Sequence, residues 1–94
     1  MESKLFTVEL IVTPRPGVRD PQAEAMTEAL RGLGPALQAA ADSMQVDCVG
    51  RYLRLQLRAP DAAVAHARVE QMCRELLVNP NVETFQLRVT EVGA

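Results

Sequence analysis

The sequence predicts a small α+β protein, a two-layer sandwich in which one face of a small sheet is covered by two helices. Three observations carry that expectation. Stretches near both ends of the chain, and a third past the middle, alternate apolar and polar residues with the period of two that a half-buried strand requires. Two intervening stretches repeat apolar residues every three or four positions, the period of a helix with one buried stripe. All six prolines fall where one pattern gives way to the next.

The first strand is expected over residues 4–13. Phe6, Val8, Leu10 and Val12 form one face, and Leu5, Thr7, Glu9 and Ile11 the other. Apolar character on both faces marks a strand that is central, or one covered by a second subunit. Pro14 should end it, because proline cannot donate to the ladder. From Pro14 to Gln22, three prolines and a glycine in nine residues fix much of the backbone. Asp20 followed by Pro21 reads as an N-cap and a first-turn proline.

A helix is expected over 21–33, with Met26, Leu30, Leu33 and then Leu37 as its buried stripe. Gly34-Pro35 breaks it, and the helix-prone run from Ala36 to Ala41 predicts an extra short helix over 35–43. Residues 45–58 are extended, with Val49, Leu53, Leu55 and Leu57 facing in. Val46 and Cys48 have the wrong parity for that face, which a bulge or tight turn at Gly50 would explain. One bent strand and a hairpin both satisfy this stretch. Asp61 caps the next helix, whose stripe is Ala65, Val69, Met72, Cys73 and Leu76. Glu70 and Arg74 can pair across one turn, and Asn79-Pro80 stops the helix. Residues 82–91 form the last strand, with Phe85, Leu87 and Val89 inward and Thr84, Gln86, Arg88 and Thr90 outward. The order β-α-(α)-β-(β)-α-β has ferredoxin-like character.

At 94 residues the chain suits a single domain, 1–94. Folding at this size buries only somewhat over ~60% of the unfolded surface, so oligomerisation is expected. Apolar residues make up 48% and aromatics 3%, so Leu, Val, Ala, Met and Ile must build the core. Net charge is −2 with no long basic run, which argues against a nucleic-acid module. Nine of the ten basic residues are arginine, a bias that high-GC codon usage accounts for. Cys48 and Cys73 match no metal spacing and read as small buried hydrophobes. Met1-Glu2-Ser3-Lys4 has none of the apolar character of a signal peptide, and no apolar run is long enough to span a bilayer. The expected location is the cytoplasm, with no membrane partner.

A search for chemistry finds little. His66 stands alone, and no serine or cysteine has a motif that places it beside a base. The glycines match neither a phosphate-binding loop nor a dinucleotide fingerprint. Asp42 and Asp47 suit turn and cap roles. The residues themselves point to a binding or assembly module.

The wording of four segments goes further. Pro14-Arg15-Pro16-Gly17-Val18-Arg19-Asp20-Pro21-Gln22 resembles the P-x-x-G-(V/I)-x-D-P-Q loop of the PurS family, the small subunit of bacterial and archaeal phosphoribosylformylglycinamidine (FGAM) synthase. Ala29 to Gly34 resembles that family's A-L-x-x-L-G, and Val49 to Leu55 its V-G-K-x-(I/L)-x-(L/V). Leu76 to Glu83 resembles its L-L-x-N-P-x-(I/V)-E. Three departures stand out: Ala23 where the family has glycine, Arg51 where it has lysine, and residues 35–44 where it has a short turn.

The resemblance implies a non-catalytic assembly subunit in de novo purine biosynthesis. Its partners would be a PurL-type large synthetase subunit, which uses ATP and Mg, and a PurQ-type glutaminase subunit, which releases ammonia. The chain would help ammonia pass between them and form a homodimer or larger homo-oligomer. It would bind no cofactor or metal of its own and would hold no catalytic residue. Candidate partner-interface residues are Arg15, Gly17, Arg19, Asp20, Gln22, Gly50, Arg51, Asn79 and Pro80. Two other readings compete: a ferredoxin-like module that senses a small metabolite at a dimer interface, and an enzyme whose site forms only between subunits, using Arg15 or His66.

Overall fold

The structure is a computed structural model that describes residues 3–93, apart from the side chains of residues 38, 39, 41 and 42. The cap role expected of Asp42 therefore lies outside the described residues. In chain order the elements are β1 (Lys4–Pro14), α1 (Pro21–Arg31), α2 (Pro35–Asp42), β2 (Arg51–Ala59), α3 (Ala62–Met72), a π-helical turn (Cys73–Leu77) and β3 (Glu83–Glu91). They divide into two compact units, one of β1 through Arg15 with everything from Gly50 onward, the other Pro16–Val49.

The first unit is a three-stranded antiparallel sheet of order β2-β1-β3. β1 is central, as its two-sided apolar character requires, and it ends at Pro14. Phe6, Val8, Leu10 and Val12 are fully buried on its inner face. Helix α3 starts where Asp61 accepts a hydrogen bond from the Val64 amide at 2.9 Å. Its Ala65, Val69 and Cys73, spaced four apart, are buried. Val69 and Cys73 pack with Val8, Leu10, Val12 and Val78, while Ala65 packs with Phe6 and Ala59.

The expected stripe of this helix was too wide. Met72 is 43% exposed and Leu76 84%. For Leu76 the cause is the π turn that follows Met72: the Val78 amide reaches back to the Cys73 carbonyl at 3.0 Å, one residue further than an α-helix allows. The extra residue turns Leu76 to solvent and half-buries Leu77 against the core instead. The helix therefore stops at Leu77, two residues before Asn79, with Val78 already extended.

β2 is one strand, and residues 45–50 carry no strand pairing, so neither the bent strand nor the hairpin forms. The parity switch at Gly50 is the entry to β2. A Cβ there would run into the Val12 carbonyl oxygen, so only glycine can bring the chain this close to β1. Leu53, Leu55 and Leu57 face in on β2, and Phe85, Leu87 and Val89 on β3.

In the second unit, Gly17 has a φ of 85°, where a side chain would be strained. Asp20 caps α1 and Pro21 takes its first position. The stripe expected for this helix is corrected too: its buried residues are Ala23 and Thr27, while Met26, Leu33 and Leu37 are 46%, 45% and 54% exposed. Two hydrogen bonds set that face. The Val46 amide donates to the Thr27 hydroxyl at 2.9 Å, and the Val49 amide to the second oxygen of Asp20 at 2.8 Å. The returning segment is thus tied to the Ala23–Thr27 side, and α1 ends at Arg31, before Leu33. No described helix is long and apolar enough to cross a membrane.

Candidate partner-docking site

Antiparallel pairing brings the end of β1 beside the starts of β2 and β3, with Val12 opposite Arg51 and Pro14 opposite Glu83. Five of the nine sequence candidates meet here: Arg15, Gly50, Arg51, Asn79 and Pro80. They surround the loop that links the π turn to β3. Arg15 donates through Nε to the Pro80 carbonyl at 2.8 Å, and its amide donates to the Val82 carbonyl at 2.9 Å. Arg51 donates to the Leu77 carbonyl at 2.9 Å, satisfying one of the helix's last free acceptors. Its guanidinium also spans the Glu83 carboxylate, with Nη1 3.1 Å from Oε2 and Nη2 3.2 Å from Oε1.

Glu83 completes the loop and was not among the candidates, although it closes the quoted N-P-x-(I/V)-E segment. Its Oε1 accepts the Asn79 amide at 2.8 Å. That amide first, and Arg51 second, hold the Glu83 carboxyl below the usual carboxylate range. The Asn79 carbonyl accepts the amides of Val82 and Glu83, and its side chain accepts the Asn81 amide at 3.2 Å. Asn79, Pro80, Asn81 and Val82 remain exposed.

The other four candidates lie in the second unit. Arg19 grips Glu24 through Nε and Nη2 at 2.8–3.1 Å, which raises the guanidinium's pKa and lowers the carboxyl's. Asp20 accepts the Val49 amide and, at 3.0 Å, the Ala23 amide. Those two bonds, in that order, and then the Gln22 amide keep its carboxyl low. Gly17 supplies the turn, and the Gln22 side chain is exposed. Five of the nine candidates therefore belong to the first unit and four to the second.

The sheet's outer face holds a second feature that sequence reasoning missed. The Tyr52 hydroxyl donates to Glu9 at 2.8 Å, which raises the phenol's pKa, and Glu9 lies in register with both Arg54 and Arg88. Only the pairing register makes these residues neighbours. His66 sits 2.7 Å from Glu70, which also pairs with Arg74 at 3.0 Å. Cys73 is buried, as expected, and burial pushes its thiol's pKa up. Cys48 is exposed, against expectation, because it belongs to the irregular stretch before Gly50 and not to a strand facing a core. Among the described residues no His, Cys, Asp and Glu side chains group as a metal site.

A small three-stranded α+β protein, with its polar side chains holding loops in fixed shapes, is the class that fold and site define. Comparison narrows it. The model of the family PurS, phosphoribosylformylglycinamidine (FGAM) synthase, matches residues 7–91, and the chain belongs to that family. It is 33% identical over 88 residues to the FGAM synthase subunit PurS of Synechocystis, covering 94% of this chain and 82% of the relative. The crystal structure of the Thermotoga maritima purS subunit matches with a TM-score of 0.76 and 29% identity, over 96% of this chain and 97% of that one. A chain in the structure of PurLQS from Thermotoga maritima matches with a TM-score of 0.74 and 30% identity, over 92% of this chain and 98% of that one.

Proposed function

We propose that this chain is the assembly subunit of FGAM synthase in de novo purine biosynthesis. It brings a PurL-type large synthetase subunit together with a PurQ-type glutaminase subunit and assists the transfer of ammonia between them. ATP and Mg serve the large subunit, and this chain supplies no catalytic group or cofactor. It acts as one PurS-like domain, in the cytoplasm, as a homodimer or larger homo-oligomer. The observation that carries this reading is the family match over residues 7–91, joined by the 30% likeness to a chain of PurLQS.

The candidate residues fit this role as shape-givers and contacts. Gly17, Asp20 and Gly50 fix the backbone, whereas Arg15, Arg19, Gln22, Arg51, Asn79 and Pro80 present exposed side chains to a partner. Reconstitution tests the reading. The large and glutaminase subunits from the same source, mixed without this chain, should make little amidine from glutamine and should gain glutamine-dependent activity when it is added. The chain alone should show neither ligase nor glutaminase activity. Full glutamine-dependent activity in its absence would sink the proposal.

A further inference from the structure

We infer that Glu83 is a positioning residue, which holds the 78–82 loop as a preformed knuckle for docking an acidic surface of a partner subunit. The inference rests on the assembly role proposed above and adds to it a residue and a partner chemistry. Two carbonyls of this loop, those of Pro80 and Val82, accept hydrogen bonds from Arg15, and the Leu77 carbonyl just before it accepts one from Arg51. Those two arginines come from the end of β1 and the start of β2, so the loop is fixed from outside itself. Glu83 ties the system together. One carboxylate binds the Asn79 amide at the loop's entry and both outer nitrogens of Arg51. Such charge-assisted bonds are stronger than neutral ones, and a loop held in one shape before binding loses less entropy when it docks.

Within the loop, the buried Val78 side chain anchors its start and the Asn79 side chain accepts the Asn81 amide at 3.2 Å. Pro80 and Val82 stand exposed at its tip. Beside them the Arg51 side chain is 53% exposed, and among the described residues neither outer nitrogen of Arg15 has a partner. With Arg15 and Arg51 positive and only Glu83 negative, the knuckle's rim is net positive. A carboxylate-bearing surface is its complement, by the bidentate geometry that arginine favours. A second copy of the same knuckle, carrying the same charge, is not.

The test uses the full chain assembled with its large and glutaminase subunits, and measures affinity by titration calorimetry. Glu83→Gln keeps the shape of the side chain and removes the charge. Glu91→Gln, at the far end of β3 where Glu91 faces Lys4 at 3.5 Å, is the control. Glu83→Gln should weaken assembly about ten-fold and speed hydrogen exchange at the Asn79 amide, while Glu91→Gln does neither. Should Glu83→Gln also lower the melting midpoint, Arg51→Lys is the second variant. It keeps a charge opposite Glu83 but loses the planar fork by which Arg51 spans both carboxylate oxygens while reaching the Leu77 carbonyl, so it should give an intermediate loss of affinity at wild-type stability. Assembly of Glu83→Gln at wild-type affinity, or equal losses for Glu83→Gln and Glu91→Gln, would overturn the role of Glu83. No complex from the wild-type chain would remove the assembly reading itself, and the docking role with it.

Discussion

Asp20 shows how one side chain can organise a segment. One carboxylate oxygen caps α1 through the Ala23 amide, and the other holds the returning chain at the Val49 amide. The cap was legible from Asp20-Pro21 alone, because capping is a local matter of backbone geometry. The Val49 bond, 29 positions away, was not legible, since nothing in the spacing announces it. These bonds depress the Asp20 pKa, so their contribution to stability is complete above the ordinary carboxylate value near 4 and is lost as pH falls through the lower folded value. Glu24 and Glu83, also depressed, act in the same direction. Thermal melts between neutral and acid pH should therefore show stability falling below about pH 4. Asp20→Asn should be less stable at neutral pH, with a shallower acid limb. Parallel acid limbs for the two proteins would show that the Asp20 bonds add nothing.

At the scale of elements, alternation located all three strands to within a residue or two at most ends, and the first-strand face of Phe6, Val8, Leu10 and Val12 is the buried one. Strand patterns survive because every second residue must enter the core whatever the partner strand is. The helix stripes fared worse. On α1 two polar contacts, Val46 to Thr27 and Val49 to Asp20, outweighed the apolar spacing of Met26 and Leu33. On α3 the expected stripe holds at Ala65, Val69 and Cys73 but not at Met72, and the π turn rotated Leu76 out of it. A π turn has no reliable sequence signature, so the error was built into any fixed 3.6-residue period. Stability measurements separate the two assignments of Leu76. Leu76→Ser should leave the melting midpoint nearly unchanged, within about 0.5 kcal/mol, as for an exposed position. Val69→Ala, which empties part of the core against Val8 and Leu10, should cost about 2 kcal/mol. A large loss from Leu76→Ser would place that residue in the core after all.

For the molecule as a whole, the four quoted segments did more than any chemistry to locate function. Three of them lie where the backbone is most constrained: at the φ of Gly17 and the Asp20 cap in the first, the close approach of Gly50 to Val12 in the third, and the loop closed by Glu83 in the fourth. Wording that recurs for structural reasons identifies a family without identifying a reactive group, which is why the family was legible and the site only in part. Five candidates converge at one end of the sheet because three strands begin or end there, a consequence of antiparallel pairing that spacing alone does not reveal. That this chain serves assembly can be tested by light scattering on a size-exclusion column. The chain should elute with the PurL-type and PurQ-type subunits as one species when glutamine, ADP and Mg are present. Elution of this chain apart from both subunits under every nucleotide and glutamine condition would contradict it.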